Sequence, residues 1–127
     1  MEYLIKVAHF QADQGALNEI TLHYQTTGRL TSPLVTLHTT GDPVVPYWHE
    51  TLYRMKVWGT GSAVRYSGIP ILRYGHCNFK AAKVLTGFAL MALKATGQEL
   101  INAQSVLPDA GSQNDFARLA KEHGALR

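Results

Sequence analysis

The chain has 127 residues, 46% of them apolar and 17% charged, with a formal net charge of +3 and a single cysteine. That is the length of one domain with an ordinary core, and Cys77 alone excludes an intrachain disulfide. No run approaches the roughly 18 apolar residues of a membrane span, and neither apolar content nor charge is that of a disordered chain. The basic residues are scattered singly or in pairs, with no RGG tract and no Lys/Arg-lined stretch, so no nucleic-acid partner is expected. The opening MEYLIKVAHFQADQ lacks the apolar h-region and cleavage site of a secretory signal.

Residues 1–29 read as a helical N-terminal segment, with Leu4, Ile5, Ala8, Ala12, Ala16, Leu17, Ile20 and Tyr24 mostly at helical spacing. Gly15 divides it into two pieces, the second capped by Asp13. The Thr26-Thr27-Gly28-Arg29 stretch stops it. Pro33 to His38 is a short apolar, β-branched run that ends in Thr39-Thr40-Gly41-Asp42-Pro43, the pattern of a buried parallel strand followed by a loop. Pro46 opens a helix through Trp58, with Glu50 near its positive end, and Gly59-Thr60-Gly61-Ser62 closes it. Ile69 to Tyr74 is a second strand, its boundaries blurred by Gly68 and Pro70. A periodic helix follows over Phe79 to Thr96, with Phe79, Ala82, Leu85, Phe88, Ala89, Ala92 and Leu93 on one face and Gly97 at its end. Leu107 to Gly111 reads as a turn before a last helix over Gln113 to His123. Trp58 and Tyr74 are most simply core residues, and His9 and His23 belong to surface helices.

The order helix, strand, helix, strand, helix, tail places the chain in the α/β class, as a βαβα unit with parallel strands and a right-handed crossover. It forms a single domain: the helical segment 1–29, a core over 30–97, and a tail with a helix over 98–127.

In an open parallel sheet, functional groups gather beyond the carboxyl ends of the strands. Asp42 follows the first strand and His76 the second, so a carboxylate and an imidazole fall on one rim. Such a carboxylate fixes the ring tautomer and balances the charge when the ring takes a proton. A serine nucleophile needs that base, because its hydroxyl is almost un-ionised at neutral pH. Asp42 also suits a plainer role, capping the helix near Pro46 or closing an Asx turn with Val44.

Strand–Gly41-Asp42-Pro43-Val44-Val45-Pro46–helix, then strand–Gly75-His76-Cys77–helix, resembles the C-terminal part of a serine α/β-hydrolase. In that fold the acid follows a late strand, often as D-x-x-V-P, and the base follows the last strand as G-H. The resemblance covers about residues 24–97 and implies Asp42 as acid and His76 as base. Leu34 to Leu37 would be the penultimate strand and Phe79 to Thr96 the final helix. It further implies a small ester or amide substrate, an acyl-enzyme intermediate and no cofactor.

The nucleophile elbow G-x-S-x-G of that family is absent. Ser32, Ser62, Ser67, Ser105 and Ser112 all lack glycines at minus two and plus two, and the oxyanion-hole loop is missing too. The chain alone is therefore expected to be inactive, with its serine outside it. Cys77 directly follows His76, and a neighbour is not expected to reach the ring in attack geometry. Tyr47 and Trp48 are candidate pocket residues, with helix packing as their other reading. His38, Asp42, His49, His76 and Cys77 are ligand types that zinc accepts, but no C-x-x-C or H-E-x-x-H occurs and no metal is expected. Two parallel strands leave a bare edge. The edge calls for the missing N-terminal half, for a second copy, or for the N-terminal segment folded back over the exposed surface. The alternative to a hydrolase part is thus a truncated, inactive domain that self-associates or binds a partner.

Overall fold

The structure is a computed structural model that describes residues 11–125. The helical positions Leu4, Ile5 and Ala8, and His9, lie outside the described residues. Helix α1 (Gln14–Glu19) starts where the second helical piece is expected, with the Asp13 carboxylate accepting from the Ala16 N–H at 2.8 Å. It runs into a π-helical turn, Ile20–Tyr24. Neither of these two elements buries a residue. His23 sits there in solvent, 3.8 Å from Glu19. The chain then docks at the far end of helix α2 (Trp48–Gly59), where the Gly28 carbonyl accepts from the Thr60 hydroxyl at 2.8 Å.

Strands β1 (Leu34–Gly41) and β2 (Tyr66–Tyr74) pair in parallel, with Leu34 opposite Tyr66 and Thr39 opposite Ile71. Each is longer than its apolar run, because the ladder continues through Thr39-Thr40-Gly41 on one strand and begins at Tyr66 on the other. Among the described residues these are the only strands, so each has one unpaired edge. Pro70 sits within β2, a position that an edge strand tolerates.

Side chains alternate between the faces of the sheet. One face meets α2. There, Thr36 and Tyr66 both donate to the same Glu50 oxygen, at 2.8 and 2.6 Å, and Tyr53 lies edge-on to Tyr66. Burial, reinforced by the Glu50 carboxylate, pushes the Tyr66 hydroxyl up to about 12. The opposite face carries the core, where Ile69 and Ile71 pack with Ala82, Ala89 and Leu90 of α3 (Ala81–Thr96). Phe116 and Ala120 of α5 (Ala110–Glu122) complete that core. Ile71 is 1% exposed. Helix α3 ends as expected at Gly97, whose left-handed backbone (φ +74°) lets its N–H reach the Leu93 carbonyl.

Several expectations need correction. Trp58 and Tyr74 are exposed rather than core, and Phe88 is about half exposed. Trp58 instead lies under the Arg54 guanidinium, 5.5 Å from it. Helix α3 begins two residues after Phe79. The turn before the last helix is its cap: the Asp109 carboxylate accepts from the Ser112 N–H at 2.8 Å and starts α5 at Ala110. A short helix α4 (Ala103–Val106), capped by Asn102, was not foreseen. The chain is thus a mixed α/β unit with a two-stranded parallel sheet between helices. No helix among the described residues is long and apolar enough to cross a membrane.

Candidate active site

Both strands end at the same rim, and two hydrogen bonds tie those ends together. The Thr39 hydroxyl, on a residue 1% exposed, donates to the Gly75 carbonyl at 2.6 Å. The Gly75 N–H donates to the Gly41 carbonyl at 3.1 Å. Between Thr39 and Gly41 the register slips, so that Gly41 stands opposite Tyr74. Such irregularities re-aim the residues that follow them. Glycine suits both crossing points. A Cβ on Gly41 would stand 3.2 Å from the Arg73 carbonyl oxygen, and Gly75 has φ +107°.

The loops that leave this joint carry Asp42 and His76. Asp42 Oδ2 lies 2.8 Å from His76 Nδ1. The same carboxylate closes the turn after β1, with Oδ1 accepting from the Val44 N–H at 2.8 Å and the Val45 N–H at 3.0 Å. Asp42 therefore closes the turn with one oxygen and meets the His76 ring with the other. Its side chain is only 4% exposed, whereas that of His76 is 48% exposed. Desolvation pushes the carboxyl up, but the N–H groups of Val45 and Val44 and the His76 ring outweigh it, holding Asp42 down at about 2. An ionised carboxylate only accepts, so the hydrogen between the two groups belongs to Nδ1. His76 is thereby held as the tautomer whose Nε2 carries the lone pair.

Cys77 departs from expectation. Its Sγ lies 3.6 Å from His76 Nε2, within reach of a sulfur hydrogen bond. The backbone at Cys77 is left-handed (φ +50°), the one positive φ outside glycine among the described residues. That turn sets the thiol beside the ring of the residue before it. The Phe79 N–H donates to the Cys77 carbonyl at 2.9 Å, and the Asn78 amide donates to the Tyr74 carbonyl at 2.9 Å, fixing the loop on both sides.

The pocket candidates Tyr47 and Trp48 make their ring contacts with other residues. Tyr47 meets the His38 ring edge-on and lines a small cleft of about 40 Å³ with Glu50, Arg54 and Tyr66. Trp48 is exposed and stacks on His49. The 330 Å³ cleft between β2, α3 and α5 includes neither Asp42 nor His76 among its lining residues. Among the described residues no group of three or more His, Cys, Asp or Glu side chains is placed to hold a metal. Of the ligand types named from the sequence, His38 is occupied with the Thr39 carbonyl, 2.9 Å from Nδ1.

Sequence reasoning missed Thr39, which joins the two loops, and the approach of Cys77 to the ring. The only signal for Thr39 was its place at the end of a β-branched run. Comparison with protein-family models, with curated proteins and with solved structures found no match.

Proposed function

We propose that this chain is the acid- and base-bearing part of a serine α/β-hydrolase, acting on an ester or amide through an acyl-enzyme whose serine lies outside the chain. The observation that carries the reading is the 2.8 Å contact between Asp42 Oδ2 and His76 Nδ1, made across the tips of adjacent parallel strands. The roles follow from the chemistry of the pair. Asp42 orients the ring and balances the imidazolium charge, and Nε2 takes the serine proton and returns it to the leaving group. The recessed acid and half-exposed base suit this division, since the ring must meet a substrate and the carboxylate need not.

The decisive experiment co-expresses the chain with a nucleophile-bearing half encoded beside it, containing G-x-S-x-G, and follows nitrophenyl ester turnover. Steady turnover is expected only in the pair. His76→Ala should abolish it, and Asp42→Asn should lower kcat on the order of 10⁴-fold by favouring the wrong tautomer. Turnover that survives His76→Ala, or an Asp42→Asn variant within tenfold of wild type, removes the assignment.

A second reading, an inactive domain that self-associates, draws on the unpaired edge of β1, whose backbone groups are a template for another strand.

A further inference from the structure

We propose that Cys77 is a nucleophile served by Asp42 and His76, and that this chain by itself accepts an acyl group on its thiol from a small activated ester or thioester. The cysteine does not stand alone. Its Sγ is 3.6 Å from Nε2, and the other ring nitrogen is 2.8 Å from a carboxylate, which gives the sequence nucleophile, base, orienting acid. Because Nδ1 carries the ring hydrogen, the Nε2 lone pair faces the thiol and can accept its proton.

The backbone supports the same reading. Left-handed φ is easy for glycine and asparagine and uncommon for other residues, yet this position holds a cysteine. Gly75, Asn78 and Phe79 hold the loop through the contacts described above, so the approach of Sγ to the ring is built into the fold. Both the thiol and the imidazole are open to solvent, and a small acyl donor reaches them without any lid or pocket.

The step balances within the chain and its donor. The thiol proton passes to Nε2 while Sγ bonds the carbonyl carbon of the donor. The bond from that carbon to the aryloxide or thiolate then breaks, and the leaving group takes the proton from Nε2. The products are a thioester on Cys77 and a free phenol or thiol, with no oxidant or reductant involved. The inference goes beyond the hydrolase reading, because it needs no serine and no second chain.

The test uses the purified full chain alone, with p-nitrophenyl acetate at neutral pH. One equivalent of nitrophenolate should appear in a burst, with one acetyl group mapping to the Cys77 peptide. Cys77→Ala should remove the burst, and His76→Ala should slow acylation about 10²-fold. Asp42→Asn should fall between wild type and His76→Ala. A measurement free of variants accompanies these: the native chain should acylate Cys77 faster than the same chain unfolded in guanidinium at the same pH. Equal rates in native and unfolded chain, equal rates in wild type and His76→Ala, or acetylation confined to lysines would each overturn the proposal. Failure of the two-chain complementation would leave it standing, just as a silent thiol would leave the serine hydrolase reading standing.

Discussion

The contact that clamps α2 to the sheet can be tested by Tyr66→Phe. Tyr66 is 9% exposed, and its hydroxyl donates to Glu50 Oε2 at 2.6 Å, a short bond to a charged acceptor. Hydrogen bonds of this kind contribute about 1.5–3 kcal/mol. The substitution does not orphan the carboxylate, because Thr36 still donates to the same oxygen at 2.8 Å. The expected loss therefore sits toward the lower end, about 2 kcal/mol. For a chain of this size that corresponds to a fall in Tm of roughly 6–10 °C. Thermal unfolding followed by far-UV circular dichroism reads it directly, and a cycle with Glu50→Gln isolates the pair. The two losses should be non-additive by about 1 kcal/mol or more. There is also a signature in alkali. The folded-state hydroxyl is raised to about 12 from its ordinary 10.0, so the stability it confers is full below pH 10.0 and fades as pH rises toward 12. Tyr66→Phe should flatten that alkaline decline. A Tm within about 1 °C of wild type, together with strictly additive losses, would refute the clamp.

Asp42 behaves with the opposite sign. Its carboxyl is held at about 2 against 3.8, so its contribution is full above pH 3.8 and is lost as pH falls toward 2. Denaturant titrations across that window should show a shallower acid decline for Asp42→Asn, and an unchanged slope would remove the carboxylate from the account. Pairing through the bare β1 edge predicts concentration-dependent dimers at micromolar chain by sedimentation equilibrium, and a monomer throughout would dispose of that second reading.

The meeting of Asp42 and His76 was legible because it depends on residue type and position at strand ends. Asp42 and His76 met as the strand–loop pattern implies, and Asp13 and Gly97 acted as helix cap and stop. Helix α2 was harder to read because it is apolar on both sides. Val57 is buried, while Trp48, Leu52, Met55 and Trp58 are exposed. The inward face also carries a charge, Glu50, which two hydroxyls draw in. Neither hydroxyl lies near it in sequence, so size and hydrophobicity alone put Trp58 on the wrong side. The geometry at Cys77 was hidden for another reason. A positive φ shows in a sequence only when glycine or asparagine marks it, and here a cysteine occupies the turn. The start of α5 was obscured because Pro108-Asp109-Ala110-Gly111 satisfies the rules for a turn and for a capped helix alike.

The two chemical proposals meet at a single atom. Nε2 of His76 has one lone pair in the neutral ring, and Asp42 fixes that tautomer by accepting the hydrogen bond from Nδ1. A serine brought by another chain and the thiol of Cys77 would therefore draw on the same acceptor in turn, never together. The structure gives the thiol the advantage of proximity, since it follows the base in sequence and the left-handed turn holds it there. The serine would have the advantage of its own fold, because an elbow presents its hydroxyl on a rigid strand-to-helix turn beside oxyanion donors. Nucleophilicity without oxyanion donors suffices to accept an acyl group once, whereas rapid release to water requires that further stabilisation. The chain alone is thus expected to stop at the thioester, and a completed sheet would be needed for turnover. The difference between a single burst and steady hydrolysis is the kinetic mark that separates the two uses of one base.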